Sequence, residues 1–308
     1  MKWLFIKVDI KNFLKNSLYR LRYKPIRAKK RNVYYCVFEK KKKHAGLADR
    51  LKTVILQYNI AKANGYEFKL FWETPFKLSE YLSPKQNWEC SLDELEYSLI
   101  DTKIISEVGW RKRGILKPKK QYHCYRYTGW NPPEIFPITG YKWTDLFNEL
   151  FEPSEKLISA YKRLNIKKHS YIAVHIRFVN ALEKFENTFF DNHIESEEER
   201  NALIHRCKKG ILELVNENPG KDIYVFSDSK VFLDSIDGLP VKVLEHSDLC
   251  HVSENSNPDT HLKTFLDMYV ISKASAIYRF QAPEILSTSG FAMVASRIGD
   301  IPFYDKQI

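Results

Sequence analysis

The sequence predicts an α/β chain built on parallel sheets. Three observations carry this. Val33–Phe38 and Tyr171–Ile176 are apolar runs of strand length without polar alternation, as expected of strands buried on both faces. Segments with helical spacing of apolar residues lie between such runs. The alternation recurs in both halves of a chain of 308 residues, a length that allows two domains of roughly 150 residues each.

The elements follow in order. Val33–Phe38 is β-branched and aromatic and reads as a strand. A charged loop then ends in His44-Ala45-Gly46-Leu47-Ala48-Asp49-Arg50. Leu51, Val54, Ile55, Tyr58 and Ala61 mark one face of a helix that stops near Asn64-Gly65. Phe68–Trp72 closes a βαβ unit. Residues 73–150 carry weaker signals: a helix within Leu92–Ile105, a strand over Gln121–Tyr127, and a loop at Trp130-Asn131-Pro132-Pro133. Leu146–Leu164 reads as helical on both sides of Pro153, with Pro153 in a first turn. From Ser170 the alternation returns. Strands are predicted at Tyr171–Ile176, Asp222–Phe226, Val241–Leu244 and Ala276–Phe280. Helices are predicted at Glu198–Asn216, Val231–Ile236, around Leu262–Tyr269, and at Phe291–Arg297. Two such halves predict two facing Rossmann-like domains with mostly parallel sheets, 33–160 and 161–308, behind a basic leader, 1–32.

Charge locates the leader. The chain holds 49 Lys+Arg against 38 Asp+Glu, a net +11. Residues 1–43 hold fifteen of the bases and only Asp9 and Glu39 as acids, a local +13, so the remaining 265 residues carry −2. A basic groove along the whole body is therefore not indicated, and a dedicated nucleic-acid binder is disfavoured. Trp3, Ile6, Ile10, Phe13, Leu14, Leu18 and Leu21 recur at helical spacing, with Lys7, Lys11, Lys15, Arg20 and Arg22 mostly between them. Such a helix suits an anionic membrane surface; equally, its apolar face could pack on the body with the basic side solvated. No apolar run approaches the ~20 residues of a membrane span. Lys7, Asp9 and Lys11 break up what would be a signal-peptide core. Cys36, Cys90, Cys124, Cys207 and Cys250 have no metal-ligand spacing and form an odd set, which reads as reduced thiols of a cytosolic protein.

Four polar clusters sit at predicted strand ends, where open parallel sheets bind ligands. Gly46–Arg50 precedes a helix, whose N-terminus favours an anion; a plain loop with Asp49 as cap is the structural alternative. His175-Ile176-Arg177 ends a buried strand, and a guanidinium can fork two phosphate oxygens; an interface ion pair and a core histidine are the alternative. Ser227-Asp228-Ser229 offers an acceptor for a ribose or base, or a helix cap. It has one acid where the D-x-D of metal-dependent glycosyltransferases has two, so no metal site is read. Ser287-Thr288-Ser289-Gly290 precedes a helix and can cradle a phosphate or simply cap it. The sequence contains neither G-x-x-x-x-G-K-[ST] nor G-x-G-x-x-G, which disfavours a P-loop NTPase and a standard dinucleotide enzyme. Together the clusters point to a donor bearing a diphosphate, held by arginine and helix termini.

Taken in order, these motifs resemble the fucosyltransferase superfamily of GT-B glycosyltransferases, which includes nodulation, α-1,6-, α-1,2- and protein O-fucosyltransferases. Gly46–Leu51 (GLADRL) resembles G-L-G-[DN]-[RQ]-[LI], with Ala48 for the second glycine. Tyr171–Arg177 (YIAVHIR) resembles the H-x-R strand, and Ile223–Ser229 (IYVFSDS) the strand ending in [ST]-D-[DS]. FLDMYVISKASAIYRF, with Asp267 as its acid, followed by the serine-rich loop, resembles the terminal helix and strand. The resemblance implies a GT-B-like fold and inverting, metal-independent transfer from GDP-fucose or a related nucleotide sugar, with no cofactor. It implies that Arg177 holds the β-phosphate and that His175 and Asp228 belong to the donor site, with Asp228 near the nucleoside. Ser287, Thr288 and Ser289 would contact phosphates, and Gly46, Asp49 and Arg50 would face them. Many relatives carry an acid where this chain has Asn180; Glu183, Glu186 and Asp191 follow on the same loop, and one of them, Glu183 or Glu186 first, is the candidate base, with solvated loop acids as the alternative. The implied acceptor is a surface glycan or lipid-linked oligosaccharide, and the implied location is cytoplasmic, peripheral on the inner face of the membrane. A non-catalytic GT-B-like binding protein docking on membrane or nucleic acid through its leader is the competing expectation, and a sulfotransferase or kinase-like enzyme a third.

Overall fold

The computed structural model describes residues 14, 17, 32–40, 44–98, 101–105, 121–125, 140–183, 192–244, 258–287 and 289–308. The leader helix expected over residues 3–21 thus lies outside the described residues, apart from Leu14 and Ser17. The chain divides into two compact units, Met1–Glu152 and Pro153–Ile308.

In the first unit, β1 (Val33–Phe38), β2 (Glu67–Trp72), β4 (Thr102–Ile105) and β5 (Gln121–Cys124) form a sheet of order β2-β1-β5-β4. All its pairings are parallel. Every side chain of β1 is buried, which is why its sequence shows no alternation. α1 (Leu47–Ala63) follows, and it is buried on all sides from Arg50 to Ala61 rather than on one face. Two of its buried polar residues are paired: Thr53 donates to the Asp49 carbonyl at 2.8 Å, and Gln57 accepts the Tyr34 hydroxyl. The helix ends as predicted, with Gly65 in the left-handed region at φ +69°.

The weak region departs from expectation. Among the described residues of Leu92–Ile105 there is no α-helix: a 3-10 turn spans Leu92–Glu94, boxed by Ser91 and Glu94, and Thr102–Ile105 is an edge strand. Leu92 and Leu95 mimic helical spacing, but the β-branched Thr102, Ile104 and Ile105 find a parallel partner in β5. Gln121–Tyr127 is a strand over Gln121–Cys124. Pro153 does not open a helix either. α2 (Trp143–Leu150) runs into β6 (Phe151–Pro153), which pairs with β3 (Leu82–Pro84). α3 (Glu155–Arg163) starts instead at Ser154, whose Oγ accepts the Leu157 N–H at 3.2 Å, a bond that proline cannot supply.

In the second unit, β7 (Tyr171–Ile176), β8 (Asp222–Ser227), β9 (Ala276–Gln281) and β10 (Phe303–Gln307) form a parallel sheet of order β10-β9-β7-β8. α4 (Glu197–Glu217), α5 (Lys230–Ser235), α6 (Pro258–Ile271) and α7 (Phe291–Gly299) connect and cover it. Ile172, Val174 and Ile176 of β7 pack with Leu203, Cys207, Ile211 and Leu214 of α4. Val241–Leu244 is not a full strand. Only Lys242 pairs with β8, donating to the Ile223 carbonyl and accepting from Val225 N–H. β10 escaped the sequence reading because FYDKQ is a polar edge strand; it pairs residue for residue with β9.

Each four-stranded sheet has a reversal of strand order. After β7 the chain adds β8 on one side, then returns to add β9 on the other. The crevice of such a reversal opens at the carboxyl ends of the two adjacent strands, here β7 and β9. In the first unit the reversal lies between β1 and β5.

Candidate functional site

Three predicted clusters share the carboxyl edge of the second sheet. β7 delivers His175-Ile176-Arg177, β8 delivers Asp228, and β9 leads through residues 282–290 into α7. His175 lies opposite Arg279 in the β7–β9 register, which puts both at the reversal crevice.

Arg177 and Asp228 form an ion pair at 3.1 Å, with side chains 19% and 6% exposed. The same carboxylate accepts the N–H groups of Phe178 and Val179, each at 2.8 Å. Asp228 is thus the anion in a small nest of successive amides just past the strand. Val179 sits in the left-handed region at φ +59°, which is strained for a β-branched residue and held by these bonds. Burial raises the Asp228 carboxyl above its ordinary range, while Arg177 and the two amides pull it back. The sequence placed Asp228 as a nucleoside contact or a cap; its described contacts are those of a clamp on the Arg177 turn.

His175 is buried and stacks on Phe291, the first residue of α7, with ring centroids 5.6 Å apart. Its Nδ1 finds no hydrogen-bond partner. Burial and the neighbouring Arg177 and Arg279 cations depress its pKa to about 3, so the imidazole is neutral. Ser287 and Ser289 lie in the loop before α7; Thr288 lies outside the described residues. The Ser289 carbonyl accepts from Arg279 Nη1 at 2.8 Å, and the Ser287 carbonyl accepts from Gln281 at 3.4 Å. Gly290 occupies the cap position of α7 without a side-chain cap bond.

Glu183 reaches away from the strand end. One oxygen accepts from Ser229 Oγ at 2.8 Å and from Val231 N–H at 3.2 Å, tying the loop to the first turn of α5. Glu186 lies outside the described residues. Asn180, at the position of the relatives' acid, donates its N–H to Asn192 Oδ1 at 3.1 Å.

Gly46, Asp49 and Arg50 lie in the first unit, after β1 and so beside its own reversal point. Gly46 caps α1 with ordinary extended backbone, φ −60° and ψ 168°; Asp49 is in the first turn, paired with Lys52 at 2.6 Å. Arg50 is buried: Nε donates to the Ala45 carbonyl at 2.9 Å, Nη1 donates to the Thr74 carbonyl, and the guanidinium lies 5.2 Å from the Trp72 ring centre. It fastens the motif loop to the chain beyond β2.

Two residues of the edge went unread in the sequence. Arg279 pairs with both oxygens of Asp305, at 2.7 and 2.9 Å, joining β10 to the approach of α7. Its signal was a lone charge inside the apolar run Ala276–Phe280. Asn192, at the end of a polar loop, gave no signal at all. Among the described residues no group of three or more His, Cys, Asp or Glu is placed to hold a metal ion.

These two parallel α/β units, with their strand reversals, are those of a GT-B-like fold. The chain is similar to the crystal structure of NodZ α-1,6-fucosyltransferase soaked with GDP-fucose, with a TM-score of 0.58 at 14% identity over 88% of this chain and 93% of that one. NodZ from Bradyrhizobium matches with 0.57 at 14% identity, over 87% and 92%. A mutant of Arabidopsis thaliana FUT1 in complex with GDP matches with 0.55 at 11% identity, over 95% and 73%. No protein-family model matches the sequence, and neither does any curated protein. The likeness is therefore one of fold, and it agrees with the ordered motifs.

Proposed function

We propose that the chain is an inverting, metal-independent glycosyltransferase that transfers fucose from GDP-fucose to a glycan or lipid-linked oligosaccharide. The observation that carries this reading is Arg177, a permanent cation clamped by Asp228 at the reversal crevice of a parallel sheet. Solved structures of like fold were determined with GDP-fucose and with GDP. Arg177 and the N-terminus of α7 would carry the donor's diphosphate and stabilise the charge that develops as it leaves. Neutral His175, with its unpaired Nδ1, adds a polar wall without adding charge. Inversion needs the acceptor hydroxyl opposite the leaving phosphate, with a carboxylate to take its proton. Glu183 serves as that base only by leaving Ser229 and Val231. Glu186 is the other loop candidate.

A donor screen with GDP- and UDP-sugars tests the reading. GDP-fucose is expected to bind and turn over, and Arg177→Ala to lower kcat/KM by about 100-fold or more. Absence of binding by every sugar nucleotide, or unchanged turnover in Arg177→Ala, rejects the site.

A second reading, a non-catalytic binding protein on the same fold, draws on Asn180 in place of an acid and on the engagement of Glu183. Multiple-turnover transfer eliminates it.

A further inference from the structure

Asn192 spends its whole side-chain amide on backbone groups of two different loops. Oδ1 accepts the Asn180 N–H at 3.1 Å. Nδ2 donates to the Phe178 carbonyl at 2.7 Å and to the Glu284 carbonyl at 2.9 Å. One N–H and two carbonyls fix which way the amide faces. Phe178 and Asn180 belong to the turn after β7 that carries Arg177. Glu284 belongs to the loop after β9 that runs on to Ser287 and Ser289. Asn192 therefore bridges the two walls of the reversal crevice. A second tie lies alongside it, from Leu286 N–H to the Arg177 carbonyl at 3.0 Å.

The turn on one wall is strained and held from outside. Val179 has φ +59°. Three successive amides, at Phe178, Val179 and Asn180, are each taken by a side chain: the first two by Asp228, the third by Asn192. Asp228 holds the turn to β8; Asn192 holds it to the loop on the other side. An aspartate at 192 could still accept from Asn180, but its carboxylate could not donate to two carbonyls.

We propose that Asn192 is a positioning residue, holding the Arg177 turn and the Ser287–Ser289 loop at the separation a nucleoside diphosphate requires. The proposal rests on the donor-site reading above. It needs no contact between Asn192 and the ligand.

The test is Asn192→Asp in the full chain, with two readouts. The first is amide hydrogen exchange of the unliganded protein. Exchange is expected to quicken together in residues 178–183 and 282–287, because one bridge serves both. The second is calorimetric titration with GDP at pH 8 and pH 5. At pH 8 the variant's Kd is expected to rise about tenfold, the worth of two lost hydrogen bonds expressed through positioning. Two facing carbonyls disfavour the charged form and raise the pKa of an aspartate at 192, so the deficit relative to wild type is expected to shrink at pH 5 as a protonated carboxyl recovers one donor. A merely structural role would lower the binding stoichiometry through loss of folded protein and leave Kd alone. Wild-type binding with an unchanged Kd in the variant, or unchanged exchange in either loop, overturns the positioning role by itself. Failure of the wild type to bind GDP overturns the donor reading, and the positioning role falls with it.

Discussion

Asp228 shows how one carboxylate can serve a cation and a backbone turn at once. It neutralises Arg177 at 3.1 Å and supplies acceptors to two amides that the left-handed turn at Val179 would otherwise leave unpaired. His175 beside it has a consequence for acid stability. Its pKa falls from 6.5 to about 3 in the folded chain, so between those values the unfolded chain takes up a proton that the folded chain refuses. The contribution is fully present above the unfolded value and is lost as pH falls through that window, at up to about 1.4 kcal/mol per pH unit. Urea unfolding at pH 7 and pH 5 checks this. Wild type is expected to lose about 2 kcal/mol more than His175→Asn between the two. Parallel losses would mean that the imidazole is not held neutral.

At the scale of elements, the position of α7 decides where its N-terminus meets the strand ends. Its far end is fixed by Gly299, where an added Cβ would lie 2.0 Å from the Ser272 carbonyl oxygen at the end of α6. Nothing flexible yields there, because the clash is with backbone. Gly299→Ala is expected to lower unfolding free energy by about 3 kcal/mol, the upper range for overpacking, read as a lower urea midpoint. A midpoint within error of wild type would show that α6 and α7 can part without cost. The other end of α7 is held differently, by Arg279 on the Ser289 carbonyl and by His175 stacked on Phe291. Edge strand β10 contributes through Asp305, which orients that arginine.

For the whole molecule, charge speaks about location and the sheets speak about chemistry. No helix among the described residues is long and apolar enough to cross a membrane. The first 43 residues nevertheless carry +13 against −2 for the rest. Each basic residue near an anionic surface adds about 1 kcal/mol of attraction. The full chain is therefore expected to cosediment with vesicles containing phosphatidylserine, and to be released as salt is raised from 50 to 500 mM, about the range over which screening takes hold. Equal sedimentation with neutral vesicles, or none with either, removes the membrane role from the leader.

Buried strands were the most legible part of the chain. Val33–Phe38 and Tyr171–Ile176 are hydrophobic on both faces because both faces are covered, and composition alone records that. Caps and stops such as Gly65 were equally local and equally readable. The ordered motifs marked Arg177 and the loops around it, since a permanent charge at the end of an apolar strand is visible in one dimension. Partners were not visible there. Asp228 and Arg177 are 51 positions apart and meet only because β8 pairs with β7; Asn192 and Glu284 are 92 apart and meet only because β9 returns to the other side of β7. Hydrogen bonds reach about 3 Å, so their partners are chosen by topology and not by sequence separation. That is why Glu183 could be read as a candidate base from its loop, while its attachment to the α5 turn required the fold.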